Sequence, residues 1–223
     1  MRADRRIPEP LRLLALHRFE RAARRRGMRV LAGLDEAGRG PLAGPVVAAC
    51  VASDRPLLIP GLDDSKRLSD GRRRFLAAEI RRRALAWGIG LAGVEEIDRY
   101  NILEATRLAM RRALEATGVR PDCLLLDAMR LPDVSGPQEA IVRGDARCAL
   151  IAAASILAKV HRDDILEQLD REDPRYGFAR HKGYATPEHL AAIERHGPSP
   201  HHRRSFAPLR EPRLPFTNDA PPV

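Results

Sequence analysis

Residues 33–47 constrain the fold more than any other segment, because two apolar runs are separated there by a short turn. The segment reads Gly-Leu-Asp-Glu-Ala-Gly-Arg-Gly-Pro-Leu-Ala-Gly-Pro-Val-Val, and apolar residues continue before and after it. This pattern predicts a strand, a tight turn and a second strand, with Asp35 and Glu36 where the first strand ends. Carboxylates at a strand end, beside exposed backbone amides, can hold a divalent cation next to a phosphate.

The rest of the chain alternates between predicted helices and strands. A short helix is expected within residues 1–28, with Leu11, Leu14 and Phe19 on its packed side. The pattern then predicts a helix that Ser69 caps and that runs to about residue 85, followed by a strand from Trp87. Asn101 and Glu104 form a predicted capping box at the start of the next helix. Further along, the pattern predicts strands over 123–127 and 139–142, a buried helix from Ala146, and a helix over 188–196. Alternation of this kind indicates an α/β fold with a mixed central sheet.

The charge of the chain favours an anionic partner. The net charge is +9, and only three of the 39 basic residues are lysines. Arginine presents a planar fork of donors that suits phosphate. The simpler alternative, which charge alone leaves open, is that arginine replaces lysine on solvated surfaces.

The cysteines and the apolar segments indicate the cellular compartment in which the protein is expected. Cys50, Cys123 and Cys148 are well separated and form no CxxC pair, so neither a disulfide framework nor a zinc site is predicted. No apolar run approaches the length that spans a membrane, and residues 13–16 are too short for the core of a signal peptide. We expect a cytoplasmic protein without a membrane partner.

Three separate segments end an apolar run with an acid: Asp35 with Glu36, then Asp127, then Asp145. Strand ends lie close together in α/β folds, so these side chains are expected to converge. Two bare carboxylates 4 Å apart repel by about 4 kcal/mol at an effective dielectric constant near 20, so such a cluster recruits cations. Oxygen ligands without thiolates or imidazoles favour Mg²⁺ or Mn²⁺ over zinc.

Two of these assignments have simpler alternatives. Asp145 precedes a predicted helix and could serve only as its N-cap. Asp35 and Glu36 are neighbours, and neighbours in a strand point to opposite faces. Both can therefore reach one site only if the strand breaks, which Gly38 and Gly40 would allow.

The motifs taken together resemble a known family of nucleases. They are Asp35-Glu-Ala-Gly-Arg-Gly-Pro-Leu-Ala-Gly-Pro-Val, Asp64-Ser-Lys, Glu96-Ile-Asp-Arg-Tyr-Asn-Ile-Leu, Leu-Leu-Leu-Asp127, Gly144-Asp145, Ile151-Ala-Ala-Ala-Ser-Ile-Leu-Ala-Lys-Val, His181-Lys-Gly-Tyr and His202-Arg-Arg-Ser-Phe-Ala-Pro. In this order they resemble the bacterial ribonuclease HII family, the type 2 ribonucleases H. One departure is Ala128, which follows the strand acid where glycine is common in that family, and it is expected to tighten the turn slightly.

The resemblance implies a ribonuclease H-like fold with a helical C-terminal part. It also implies a metal-dependent endonuclease that cuts the RNA strand of RNA–DNA hybrids and nicks duplex DNA at single ribonucleotides, leaving 5′-phosphate and 3′-hydroxyl ends. By matching position, Asp35, Glu36, Asp127 and Asp145 would be the catalytic acids that bind two Mg²⁺ or Mn²⁺ ions.

The same resemblance assigns the substrate contacts. Gly38, Arg39 and Gly40 would sense the ribose 2′-hydroxyl, largely through backbone groups, although such a turn taken alone favours an ordinary hairpin. Tyr184 would pack against the sugar beside the junction. Phosphate contacts are expected from Lys66, Arg67, Lys159, Lys182, Arg203 and Arg204, each of which could also be a solvated charge. His196, His201 and His202 are expected in a basic loop near the substrate rather than at a zinc ion. Ser155 and Cys148 are expected to pack within their helix rather than act as nucleophiles.

The resemblance covers residues 29–209 and so divides the chain into three parts. Residues 1–28 form a basic N-terminal extension, residues 29–209 the catalytic domain, and residues 210–223 a Pro-rich flexible tail. No segment encodes an oligomer interface, so a monomer is expected. Two alternatives to this assignment are a member of the sister family ribonuclease HIII and a non-catalytic protein that binds hybrids. Arg39 disfavours the first alternative, because a lysine would be expected there. Retention of four acids disfavours the second alternative, because negative charge in the groove weakens binding to nucleic acid.

Overall fold

A five-stranded mixed sheet forms the centre of the molecule in a computed structural model that describes residues 8–210. The strands are β1 (Leu31–Ala37), β2 (Val46–Ser53), β3 (Ala86–Ala92), β4 (Cys123–Asp127) and β5 (Gln138–Ile141), in the spatial order β3-β2-β1-β4-β5. The pairs β1–β2 and β2–β3 are antiparallel, whereas β1–β4 and β4–β5 are parallel. The predicted mixed α/β sheet is confirmed.

Seven α-helices surround the sheet within residues 8–210. They are α1 (Glu9–Leu16), α2 (Arg18–Arg25), α3 (Asp70–Arg83), α4 (Val94–Glu115), α5 (Ala149–Glu172), α6 (Phe178–His181) and α7 (Pro187–His196). Helices α3 and α5 pack on one face of the sheet, and α4 packs on the other. The short helices α6 and α7 form the helical C-terminal part that the sequence predicted. The expected flexible tail over 210–223 lies almost wholly outside the described residues.

Glycines let two helices approach the sheet backbone to backbone. A Cβ at Gly33 in β1 would lie 2.3 Å from the carbonyl carbon of Leu150 in α5. A Cβ at Gly90 in β3 would lie 2.1 Å from the carbonyl oxygen of Ala109 in α4. Separations below 3 Å are not tolerated, so larger residues at these positions would push the helices away. The close approach brings α5 directly over β1 and its terminal acid.

Local sequence signals set several helix boundaries. The Ser69 side chain accepts a hydrogen bond from the Arg72 amide and caps α3, as predicted. The Asn101 side chain caps the next turn by accepting from the Leu103 and Glu104 amides, but it does so inside α4. Asn101 has φ of 73°, so it interrupts a helix that begins seven residues earlier, at Val94.

The predicted packing side of the N-terminal helix is right for Phe19, which packs against the core, but wrong for the two leucines. Leu11 and Leu14 are exposed, and it is Leu13 and Leu16 that are buried. The chain forms two helices rather than one, since His17 lies between α1 and α2. Helix α2 is tied to α5 because the Glu20 carboxylate accepts a hydrogen bond from the Leu150 amide at 3.0 Å. Among residues 8–210, no helix combines the length and the apolar character needed to cross a bilayer.

Candidate active site

A cavity of about 270 Å³ opens at the end of the sheet where β1 and β4 finish. Its lining brings together acids, the glycine-rich turn and basic side chains from distant parts of the chain. The lining residues are Asp35, Glu36, Ala37, Gly38, Arg39, Gly40, Ser65, Lys66, Asp127, Ser155, Lys159, Arg162 and Tyr184.

Asp35 and Asp127 enter this cavity side by side because their strands are parallel. Leu34 pairs with Leu126 in the register of β1 and β4, so the next residue of each strand emerges at the same level. Asp35 is buried, and one oxygen of Asp127 accepts a hydrogen bond from the Gly144 amide at 2.7 Å. The predicted convergence of strand ends therefore holds for these two acids.

Glu36 reaches the same cavity without the strand break that the sequence required. Strand β1 continues through Ala37, which still pairs with Val47, so the expected break after Asp35 is wrong. Glu36 is close enough to the end of the strand for its longer side chain to line the cavity. Its Oε1 accepts a hydrogen bond from Arg39 Nη1 at 3.2 Å, while Oε2 is buried with no partner among the described residues.

Asp145 lies at the edge of the cavity rather than in its wall. Its Oδ1 accepts from the Ala146 amide at 2.9 Å, and its Oδ2 forms an ion pair with Lys66 Nζ at 3.4 Å. Asp145 does not cap the long helix, because α5 begins at Ala149 and Cys148 occupies its N-cap position. Lys66 lines the cavity and thus connects Asp145 to it.

Burial and mutual repulsion raise the pKa values of three of these acids. Burial raises the pKa of Asp35 well above its usual range, and the charges of Glu36 and Asp127 raise it further. Burial also raises the pKa of Glu36, although Arg39 opposes the shift. The pKa of Asp127 is raised by burial, which outweighs the stabilising Gly144 amide. A site that disfavours its own negative charge gains free energy when it binds a cation.

The cavity has ligand atoms of the type that divalent cations prefer, but these atoms are not arranged as a complete coordination sphere. Carboxylate oxygens line the cavity, and Glu36 Oε2 is a buried acceptor without a donor. Within the described part of the chain, no three His, Cys, Asp or Glu side chains are grouped closely enough to enclose a metal ion. Asp127 accepts a hydrogen bond from the Gly144 amide, and Asp145 accepts from the Ala146 amide and Lys66, so a cation shared by all four acids would compete with these donors.

Two buried arginines fix the turn that follows the acids. Arg162 from α5 donates hydrogen bonds to the carbonyl oxygens of Pro45, Lys182 and Ala43, at 3.0–3.1 Å. Arg203 donates to the carbonyl oxygens of Gly38, Arg39 and Gly44, at 2.6–3.0 Å. Arg203 is fully buried, and its guanidinium group donates its hydrogen bonds to the carbonyl groups of the turn. Its predicted contact with a substrate phosphate is therefore wrong.

The two glycines of the turn have different structural roles. Gly38 has φ of +94°, and a Cβ there would lie 2.0 Å from Arg162 Nε. Gly40 has no such constraint, because a Cβ there would contact Tyr184 Cε1 at an ordinary 3.8 Å. Only Gly38 is required by the backbone; Gly40 keeps the surface beside Tyr184 open.

A chain of histidines holds the backbone at Tyr184. The Ser199 amide donates to His202 Nδ1 at 2.9 Å, so the proton of His202 lies on Nε2. His202 Nε2 then donates to His189 Nε2 at 3.0 Å, which leaves the proton of His189 on Nδ1 to donate to the Tyr184 carbonyl oxygen at 2.8 Å. This order of donors requires both rings to be neutral, and burial lowers the pKa of His202 to about 4.

The histidine prediction is therefore partly wrong. His202 is buried against the Tyr176 and Phe178 rings rather than standing in a solvated basic loop. His181 belongs to the same cluster and stacks on His189 with ring centroids 4.3 Å apart. Tyr184, in contrast, is half exposed at the mouth of the cavity.

The structure separates the predicted basic contacts into two groups. Lys66 and Lys159 line the cavity, and Lys159 Nζ pairs with Asp163 at 2.6 Å. Lys182 and Arg204 do not line it. Lys182 pairs with Glu167 at 2.8 Å, and Arg204 is exposed where its amide donates to Asp98.

Three polar residues have a place at the site that the sequence did not predict. Ser155, which was expected only to pack within its helix, lines the cavity, and its hydroxyl partly offsets the raised pKa of Asp35. That hydroxyl lies 2.9 Å from the hydroxyl of Ser65. Arg162 lies beneath the turn. The available signal was polarity, since Ser155 and Arg162 stand within the most apolar helix of the chain.

The mixed sheet, its flanking helices and the acids at its carboxyl end define the class of ribonuclease H-like enzymes. The family model for ribonuclease HII matches residues 32–209. Over 196 residues, the chain is 55% identical to ribonuclease HII from Geobacillus thermodenitrificans, covering 88% of this chain and 75% of that relative. It is 59% identical over 182 residues to ribonuclease HII 2 from Methylibium petroleiphilum, covering 82% and 84%. The chain belongs to the ribonuclease HII family and is an endoribonuclease of the ribonuclease H type.

Solved structures confirm the fold. The crystal structure of ribonuclease H2 from Pyrococcus horikoshii OT3 matches with a TM-score of 0.66 at 26% identity, covering 81% of this chain and 95% of that one. The crystal structure of Bst-RNase HIII in complex with Mn²⁺ matches with a TM-score of 0.63 at 20% identity, covering 86% and 67%. The shared fold does not separate the two families, whereas the family model and the sequence identities do.

Proposed function

We propose that this enzyme nicks duplex DNA at single embedded ribonucleotides, in addition to hydrolysing the RNA strand of RNA–DNA hybrids. The observation that carries the proposal is the position of the turn Gly38–Gly40, which lines the same cavity as Asp35 and Asp127. For a single ribonucleotide to be a substrate, the group that recognises its ribose must lie next to the acids that cleave beside it.

The four acids Asp35, Glu36, Asp127 and Asp145 would hold two Mg²⁺ or Mn²⁺ ions. The chemistry that such ions supply when bound is activation of the attacking water and stabilisation of the leaving 3′-oxygen. The unpartnered Glu36 Oε2 and the raised pKa values of three acids support this assignment. The fold is also that of a ribonuclease HIII whose crystal structure is a complex with Mn²⁺.

The residues of the chain itself provide substrate placement. Arg162 and Arg203 hold the turn rigid, so that its backbone groups can meet a ribose 2′-hydroxyl without reorganisation. Tyr184 stands at the mouth of the cavity, where its ring can pack against the neighbouring sugar. Lys66 and Lys159 supply positive charge for the phosphate, and no side-chain nucleophile is needed. The products would carry 5′-phosphate and 3′-hydroxyl ends.

We place this reaction in the cytoplasm, with the enzyme acting as a monomer. The free thiols of the three cysteines are all buried, which suits a reducing compartment.

The test is a nicking assay on a DNA duplex that contains one ribonucleotide. With Mg²⁺ or Mn²⁺ we expect one cut beside the ribonucleotide, no cut in the all-DNA duplex, and no cut after chelation. The all-RNA duplex serves as a second control. Cleavage of a long RNA–DNA hybrid without any nicking of the single-ribonucleotide duplex would overturn the proposal.

A further inference from the structure

A second cavity, of about 230 Å³, lies beside the loops that build the candidate active site. Its charged lining consists of four arginines and one acid: Arg12, Arg18, Arg67, Arg147 and Asp63. We call this feature the arginine pocket. Its walls come from the N-terminal helices and from two loops of the catalytic domain, so it exists only because α1 and α2 pack on that domain.

The charges in the arginine pocket are only partly neutralised. Arg67 pairs with Asp63 at 3.6 Å, and Arg12 pairs with Glu9 at 2.7 Å. Arg18 and Arg147 form no ion pair with any acid among residues 8–210. Four guanidinium groups facing two carboxylates leave a net positive site, which favours an anion.

Packing fixes the two unpaired guanidinium groups in place. Both lie over the ring of Phe19, Arg18 at 4.5 Å and Arg147 at 5.6 Å from its centroid. Arg147 Nη1 also donates to the Val142 carbonyl oxygen at 2.7 Å. These contacts restrain the two exposed guanidinium groups before any ligand arrives, so the groups lose less side-chain entropy when they bind one.

Two loops connect the arginine pocket to the active-site cavity. Arg67 directly follows Lys66, which lines that cavity, and Arg147 lies two residues after Asp145. The Lys66–Asp145 ion pair joins the two loops at 3.4 Å. Successive phosphates of one strand advance by about 3.4 Å along the helix axis, so a duplex held at the acids presents further phosphates to the surface on either side of them.

We propose that the arginine pocket binds backbone phosphates of the substrate duplex on one side of the cleavage point. The N-terminal helices thereby become part of the nucleic-acid surface. This inference rests on the proposed function, because it takes the acids as the point of cleavage. Phosphate contacts set register and affinity without reading sequence.

The test compares the wild-type protein with the double variant Arg18→Gln and Arg147→Gln. Binding of the one-ribonucleotide duplex is measured without divalent ions, by fluorescence anisotropy between 50 and 300 mM salt. Each phosphate contact contributes about 0.9 to the slope of log affinity against log salt, so we expect the slope to fall by nearly 2. At 0.1 M salt the affinity should drop by about 10-fold or more.

The matched control is Arg120→Gln, an exposed arginine that precedes β4 and so lies at the other end of that strand from Asp127. It should leave both slope and affinity unchanged. Arg18→Lys with Arg147→Lys, which keeps the charges, should restore most of the slope. If the Gln double variant and the wild type share the same slope, the arginine pocket binds no phosphate.

Truncated duplexes locate the contact. Shortening the duplex on one side of the ribonucleotide should abolish the difference between wild type and double variant, whereas shortening the other side should preserve it. A difference that survives every truncation would refute the proposed placement. Because binding is measured without cleavage, this result is independent of the nicking assay: a wild-type enzyme that fails to nick refutes the proposed function, and equal salt slopes refute the arginine pocket.

Discussion

Replacing Gly38 by alanine should damage the protein far more than the same change two residues later at Gly40. A Cβ at position 38 would lie 2.0 Å from Arg162 Nε, and the residue has φ of +94°. The backbone strain costs about 1–2 kcal/mol. Displacing the guanidinium also weakens at least one charged hydrogen bond, worth about 1.5–3 kcal/mol.

The two contributions predict that Gly38→Ala lowers the free energy of unfolding by about 2.5–5 kcal/mol. In a chain of this size that corresponds to a decrease in Tm of roughly 5–20 °C, measured by circular dichroism. Gly40→Ala should change Tm by less than about 2 °C, because its Cβ meets only Tyr184 at 3.8 Å. Nicking should be lost in the first variant and largely kept in the second. Equal Tm values for the two variants would refute the role given to Arg162.

Three further changes test other parts of the structure. Asp35→Asn should raise the free energy of unfolding at pH 7 while abolishing cleavage, because the raised pKa means that ionised Asp35 destabilises the folded state. A decrease in stability in urea melts would contradict this. The pKa of His202 is lowered to about 4, so the unfolded chain binds the proton first as pH falls below 6.5, and stability should drop by about 3 kcal/mol by pH 4, a decline that His202→Asn should reduce. Ala128 has φ of 48°, and Ala128→Gly should raise Tm by roughly 2–4 °C, because relief of about 1–2 kcal/mol of strain outweighs about 0.4–1 kcal/mol of added chain entropy. A lower Tm would contradict this.

Much of the fold could be predicted because local signals agreed with the tertiary arrangement. Ser69 begins a helix with its side chain, and the residues after Cys123 form a strand buried on both faces. The break in α4 was harder to foresee, because Asn101 is a true cap that tertiary packing places inside a longer helix. The packed side of α1 was misjudged because Leu11, Leu13, Leu14 and Leu16 offer two possible apolar sides.

The acids of the candidate site could be predicted from the sequence, but the buried residues that hold the neighbouring turn could not. Asp35 and Asp127 follow apolar runs, and parallel pairing brings such positions together. The buried role of Arg203 could not be inferred, since a basic residue in a basic segment looks like a phosphate contact. The distinction depends on carbonyl groups of the turn at 38–44, more than 150 residues away in the chain.

The most direct test of the account is the cleavage rate of Asp127→Asn over a range of Mn²⁺ concentrations. The substrate is the saturating one-ribonucleotide duplex, and the control is Asp133→Asn, whose exposed carboxylate pairs with Arg111. We predict that Asp127→Asn cleaves at least about 100-fold more slowly at every Mn²⁺ concentration, while the control matches the wild type. A wild-type rate for Asp127→Asn would contradict the assignment of the strand-end acids as the centre of the reaction.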